Sequence, residues 1–134
     1  MATNPYSNYL EATILSADPI ELIRILYRTA IDSTCDARAY LSAGKTAERS
    51  RAVSKAVAAV RELSFCLKSD AQPDLARNLA ELYDYIQRRL LTANFEQSDA
   101  PLAEVAGLLE NMLHAWERVD LAQAVRQAAS TWAM

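Results

Sequence analysis

The sequence predicts an all-α fold, an antiparallel four-helix bundle, from three observations. Only two glycines and four prolines interrupt its 134 residues. Alanine is abundant while β-branched and aromatic residues are sparse, so local propensity favours helix nearly everywhere. Apolar residues recur at alternating steps of three and four along four long stretches, the period of a helix with one buried face. A chain of this length is expected to form one domain with one core. With 51% hydrophobic and 23% charged residues, it has the balance of a chain that folds by itself.

Residues 1–17 form a leader that precedes the first strong helix signal. That signal is Asp18-Pro19-Ile20-Glu21: Asp18 caps, Pro19 needs no amide partner at the first helical position, and Glu21 reaches back toward the cap. The first helix runs to about Leu41, where Ser42-Ala43-Gly44-Lys45 supplies a C-terminal glycine and a short connection. Thr46 is expected to cap the second helix, whose stripe is Val53, Ala56, Val57, Val60, Leu63, Ser64 and Leu67. Ser69 to Pro73 breaks the pattern. A third stripe of Leu75, Leu79, Leu82, Ile86, Leu90 and Ala93 follows and ends before Asn94. Ser98-Asp99-Ala100-Pro101 opens the fourth helix, with Leu102, Val105, Leu109, Met112, Trp116 and Val119 as its core line. Four such helices with short links pack as antiparallel neighbours over residues 18–119. Past Asp120 the apolar phase shifts to Leu121, Val125, Ala128 and Trp132, so a break is expected there. Residues 120–134 then form a tail or a short fifth helix.

The first helix is too apolar for a plain bundle, which needs a stripe of roughly 100° or a little more. Beside the core line Leu22, Leu26, Ala30, Ala37 and Leu41 runs a second line of Ile20, Tyr27 and Ile31, expected outside the core. Charged substitutions of Tyr27 and Ile31 would then weaken partner binding more than stability. Either end of the chain can cover this line when no partner is bound: the leader segment with Tyr9, Leu10, Ile14 and Leu15, or the tail with Leu121, Val125 and Trp132. Phe65 and Leu91 also point away from their core lines. On the third helix Asp84 and Arg88 lie one turn apart, as do Tyr85 and Arg89. Exposed pairs of this kind add only about 0.2–1 kcal/mol, which leaves a binding role for the cluster.

A net charge of −3 without a basic block argues against nucleic acid as a partner. No apolar run approaches the roughly 20 residues needed to span a bilayer, and no signal segment opens the chain, so a cytoplasmic protein without membrane insertion is expected. Cys35 and Cys66 lack metal or redox spacing and read as small packing residues. The one histidine, His114, follows Glu110 by a turn on a polar face, an ordinary helix contact and not half of a di-iron ligand set. P-loop, dinucleotide-binding and nucleophile-elbow patterns are absent. A chorismate-mutase-like helical enzyme would need converging inward cations, whereas Arg24, Arg28, Arg61 and Arg88 leave the core lines. Neither catalysis, metal nor cofactor is expected.

The third helix reads Asn78-Leu79-x-x-Leu82-Tyr83-Asp84-Tyr85-Ile86-x-Arg88-Arg89-Leu90-Leu91-x-Ala93-Asn94, and here the chain resembles the FliS family of flagellin-specific export chaperones. The resemblance extends in order from Tyr9 through Ser16-Ala17-Asp18-Pro19, Leu26-Tyr27 and Glu104-Val105-x-Gly107-Leu108-Leu109 to Ala115-Trp116. Arg28-Thr29 and Gln72-Pro73-Asp74 depart from the family's Asp-Gly and Gly-Gly-Glu. The resemblance implies a cytoplasmic chaperone, monomer or weak dimer, that binds the disordered C-terminal region of flagellin, prevents its premature polymerisation and delivers it to the flagellar type III export apparatus. It also implies that Tyr9 and its neighbour Ile14 border the binding surface. Geometry adds Ile20, Tyr27, Ile31, Tyr85, Arg89 and Leu91. The alternative is a small helical interaction or assembly subunit without specificity for flagellin.

Overall fold

The computed structural model describes residues 19–67 and 73–132, with side chains described for 20–67 and 73–118. It contains four helices: α1 Pro19–Ser42, α2 Thr46–Phe65, α3 Pro73–Glu96 and α4 Asp99–Trp132. Pro19 and Pro73 open α1 and α3, positions where proline's missing N–H and fixed φ do no harm. Asp18, the expected cap, and the leader lie outside the described residues.

The helix ends follow backbone hydrogen bonding more closely than side-chain capping. Gly44 takes φ +73° after α1, and the Lys45 N–H reaches back to the Tyr40 carbonyl at 2.9 Å, a Schellman turn. Lys45, with no side-chain cap bond, then precedes α2; Thr46 is the first helical residue and not the expected cap. The same turn closes α3 without a glycine. Gln97 sits at φ +53°, and the Ser98 N–H donates to the Ala93 carbonyl at 3.1 Å. A side chain in this left-handed region is unfavourable by roughly 1–2 kcal/mol. Gln97→Gly is therefore expected to stabilise the protein by about 1 kcal/mol, less the extra entropy glycine loses on folding. A thermal melt checks it, with a rise of roughly 3–5 °C expected.

Each helix packs along the one before it, and α4 closes the ring against α1. Cross-links give the antiparallel sense. Arg38, in the last third of α1, meets Asp99 at the start of α4. Arg49 in the first turn of α2 meets Asn94 near the end of α3. The Arg38 pair is two-pronged, Nε to Oδ1 at 2.8 Å and Nη2 to Oδ2 at 3.0 Å, and it holds the Asp99 carboxyl below its ordinary pKa. Both partners are about half exposed, so screening leaves this fork as a register mark and a small stabiliser.

The core gathers the expected lines with a one-residue shift on α4, where Leu113 is buried and Met112 only partly so, and with two larger changes. First, α3 is rotated by one residue over its N-terminal half. Ala76 and Tyr83 are buried, and Leu75 is 49% exposed. Both 75-79-82 and 76-79-83 satisfy helical steps; leucines draw the sequence toward the former, and a buried hydroxyl partner decides for the latter. Second, Tyr27 and Ile31, expected outside, belong to the core cluster at 0% and 3% exposure. The physical reason is that α1 faces both α2 and α4, so its wide apolar face is used by two neighbours. Small residues let them approach: Ala30, Ser33, Thr34 and Ala37 are all buried, and the Thr34 hydroxyl donates to the Ala30 carbonyl at 2.8 Å.

The break expected near Asp120 does not occur. Helix α4 continues to Trp132, because 119–132 contains neither glycine nor proline and is rich in alanine. No separate fifth helix forms there. The side chains of the tail stripe, like the leader, lie outside those described, and so does the expected covering of α1 by either end. No helix among the described residues is long and apolar enough to cross a membrane.

Candidate functional site

The side chains expected to form one binding face divide into two environments. Tyr27 forms the centre of the buried one. Its hydroxyl lies 2.7 Å from that of Tyr83 on α3 and accepts the indole N–H of Trp116 on α4 at 3.1 Å. The two phenol rings are tilted by 59° with centroids 6.4 Å apart, within the range of favourable edge-on packing. These bonds tie three helices together at one level of the bundle. Ile31, one turn further along α1, lies in the same core.

Burial raises the pKa of both hydroxyls above the ordinary 10.0, more strongly for Tyr83, which also faces Tyr27. The neutral forms are thus favoured in the folded state. Above pH 10 the unfolded chain releases phenol protons that the folded chain keeps, so the unfolded state gains. Stability is expected to fall with rising pH from about 10, by up to roughly 1.4 kcal/mol per pH unit for each buried tyrosine. Tyr83→Phe should flatten this alkaline slope in urea melts recorded between pH 8 and 11. An unchanged slope would remove Tyr83 from its buried place.

The second environment is the surface of α3. Tyr85 and Arg89 do not simply stack on each other; both converge on Glu104 of α4. The Tyr85 hydroxyl donates to Glu104 Oε2 at 2.8 Å and Arg89 Nε donates to Oε1 at 2.7 Å. Arg89 first, and Tyr85 second, hold the Glu104 carboxyl below its ordinary pKa. Asp84 and Arg88 form the expected solvent-facing pair at 3.1 Å. Leu91 is 55% exposed, and one turn beyond it Phe95 is 89% exposed. Phe65, at the end of α2, is likewise exposed. Ile20 is half-buried in the first turn of α1. Tyr9 and Ile14 lie outside the described residues.

Phe95 is absent from the sequence expectation because the third helix is there ended before Asn94. Extending it one turn to Glu96 places Phe95 four residues after Leu91 on the same side. A second unanticipated feature is Arg49, the one charged side chain buried among the described residues. Its Nε donates to Asn94 Oδ1 at 2.9 Å.

Elsewhere the polar groups offer little chemistry. Among the described residues no group of three or more potential metal ligands converges. His114 faces Glu117 at 3.9 Å, where the sequence pairs it with Glu110. Both cysteines are free; Cys35 is exposed, contrary to the expected packing role, and Cys66 is half-buried. Desolvation raises both thiols' pKa, which disfavours the reactive thiolate. An open recess of about 420 Å³ beside Asp32, Asp36 and Lys55 has no histidine in its lining.

Fold and surface together define an antiparallel helical bundle with paired polar groups and an apolar edge on α3. The family model for flagellar protein FliS matches residues 2–124, and the chain belongs to that family. It is similar to the flagellar secretion chaperone FliS of Salmonella typhimurium, 36% identical over 112 residues that cover 83% of each chain. It is also 29% identical to FliSB of Pseudomonas aeruginosa over 83% of this chain and 88% of the relative. The flagellar secretion chaperone FliS of Bacillus subtilis is 29% identical over 86% of this chain and 85% of its own.

Proposed function

We propose that this protein is a flagellar secretion chaperone, which binds the disordered C-terminal region of flagellin in the cytoplasm, keeps it from polymerising and delivers it to the export apparatus. The observation that carries this reading is family membership across nearly the whole chain, in a bundle that leaves large apolar side chains on its surface. A disordered segment that folds on binding needs apolar anchors to offset its ordering entropy. Leu91 and Phe95 provide a pair one turn apart, the spacing of an amphipathic helix contact. Ile20 on α1, Tyr85 and Arg89 on α3, and Tyr9 and Ile14 of the leader complete the proposed surface. Tyr27 and Ile31 serve it from beneath, by fixing α1.

Titration calorimetry of the full chain with a peptide of the flagellin C-terminal region tests the proposal. Binding with a negative heat-capacity change is expected, since apolar area is buried. Leu91→Asp combined with Phe95→Asp should weaken binding by about tenfold or more while the melting temperature stays within a few degrees, because exposed sites carry little stability. A chain that ignores the peptide, yet self-associates with rising concentration, would favour an assembly subunit over a flagellin chaperone.

A further inference from the structure

Arg49 poses a physical question. It is only 5% exposed, and its guanidinium hydrogen-bonds to Asn94 and not to a carboxylate. Nε donates to Asn94 Oδ1 at 2.9 Å, Nη2 reaches the Asn94 carbonyl at 3.4 Å, and the Ser50 hydroxyl donates to the same Oδ1 at 3.3 Å. Asn94 lies in the last turn of α3, whose free carbonyls carry the partial negative end of the helix. The guanidinium is therefore set against a helix C-terminus and a side-chain amide. Burying a cation in this way is a poor route to stability, since an apolar side chain of similar volume often does as well or better.

The clamp controls a particular piece of structure. Leu91 precedes Asn94 by three residues and Phe95 follows it directly, and these are the exposed apolar side chains of this end of α3. Beyond them the chain turns through Gln97 in the left-handed region, an unfavourable conformation for glutamine that would encourage the last turn to open. Helix ends fray readily. Arg49 holds this one from the neighbouring helix through both the side chain and the carbonyl of Asn94.

We propose that Arg49 and Asn94 are positioning residues that keep the last turn of α3 helical and so present Leu91 and Phe95 as a preformed anchor for an amphipathic segment of the partner. This rests on the flagellin-binding function proposed above. Preforming the anchor removes an ordering cost from binding, so the clamp acts on affinity more than on global stability.

The test uses the full chain, the flagellin C-terminal peptide and three variants. Arg49→Met keeps the buried stem and deletes the guanidinium. Asn94→Ala deletes the acceptor, and Asn94→Asp retains it. For Arg49→Met and Asn94→Ala, a rise in Kd of about tenfold is expected, the scale of a lost hydrogen bond to a charged group. Amides of residues 91–97 should exchange faster in the free protein, while amides in the middle of α2 do not. Asn94→Asp should keep both affinity and protection. Unchanged affinity or unchanged exchange in Arg49→Met and Asn94→Ala overturns the assignment, as does a loss of affinity accompanied by equal loss of protection throughout the bundle. Failure of Asn94→Asp to retain binding overturns it too. Wild-type protein that fails to bind the peptide sinks the proposed function itself, a result distinct from wild type that binds and variants that bind as well.

Discussion

Tyr27→Glu or Ile31→Glu is expected to remove a large share of the protein's stability and to lower its urea midpoint sharply. Each places a carboxylate in a site exposed by 0% or 3%. An uncompensated buried charge costs roughly 3–5 kcal/mol or more, against a total stability of about 5–15 kcal/mol for a domain. Tyr27→Glu also removes the hydroxyl that meets Tyr83 and Trp116. Tyr27→Phe separates the two losses. It preserves the ring and removes the hydroxyl that meets Tyr83 and Trp116, so its expected cost is about 0.5–1.5 kcal/mol. Circular dichroism with urea denaturation measures all three. A glutamate variant that melts like wild type but no longer binds flagellin would return these residues to the surface.

Ile86→Ala and Leu109→Ala should each lower stability by about 2–5 kcal/mol, through lost burial and the cavity left behind. Both side chains are fully buried, one on α3 and the other on α4. Leu82 and Met112 lie on the expected core lines too, yet they are only partly buried against the core. Truncating them should cost less, because water already reaches part of the side chain and the site can relax. The urea midpoint should shift at constant slope if only the native state is affected. Equal costs at all four positions would mean that Leu82 and Met112 are as deeply packed as Ile86.

The all-α class, four helices and most of their bounds are legible in the sequence, because they depend on local quantities: helical propensity, the three-four repeat, and proline or glycine punctuation. So is the family, through the run from Asn78 to Asn94. Leu91 is legible as an outward residue for the same reason, since one helix's own period places it. Tyr27, Ile31 and Tyr83 are different. Their burial depends on how many neighbours a helix has and on which hydroxyl meets which, and a single-helix pattern contains neither. Arg49 depends still more on tertiary structure: its charge predicts a solvated surface, and only the antiparallel register of α2 and α3 brings the carbonyl and amide of Asn94 to it. Phe95 was hidden by a boundary, because the asparagine that looks like a helix stop is instead held inside the helix by that arginine. The sequence thus determined which segments are helical and which faces are apolar, by interactions spanning a few residues. The tertiary structure decided which apolar and polar groups are covered, because coverage is a property of several helices at once.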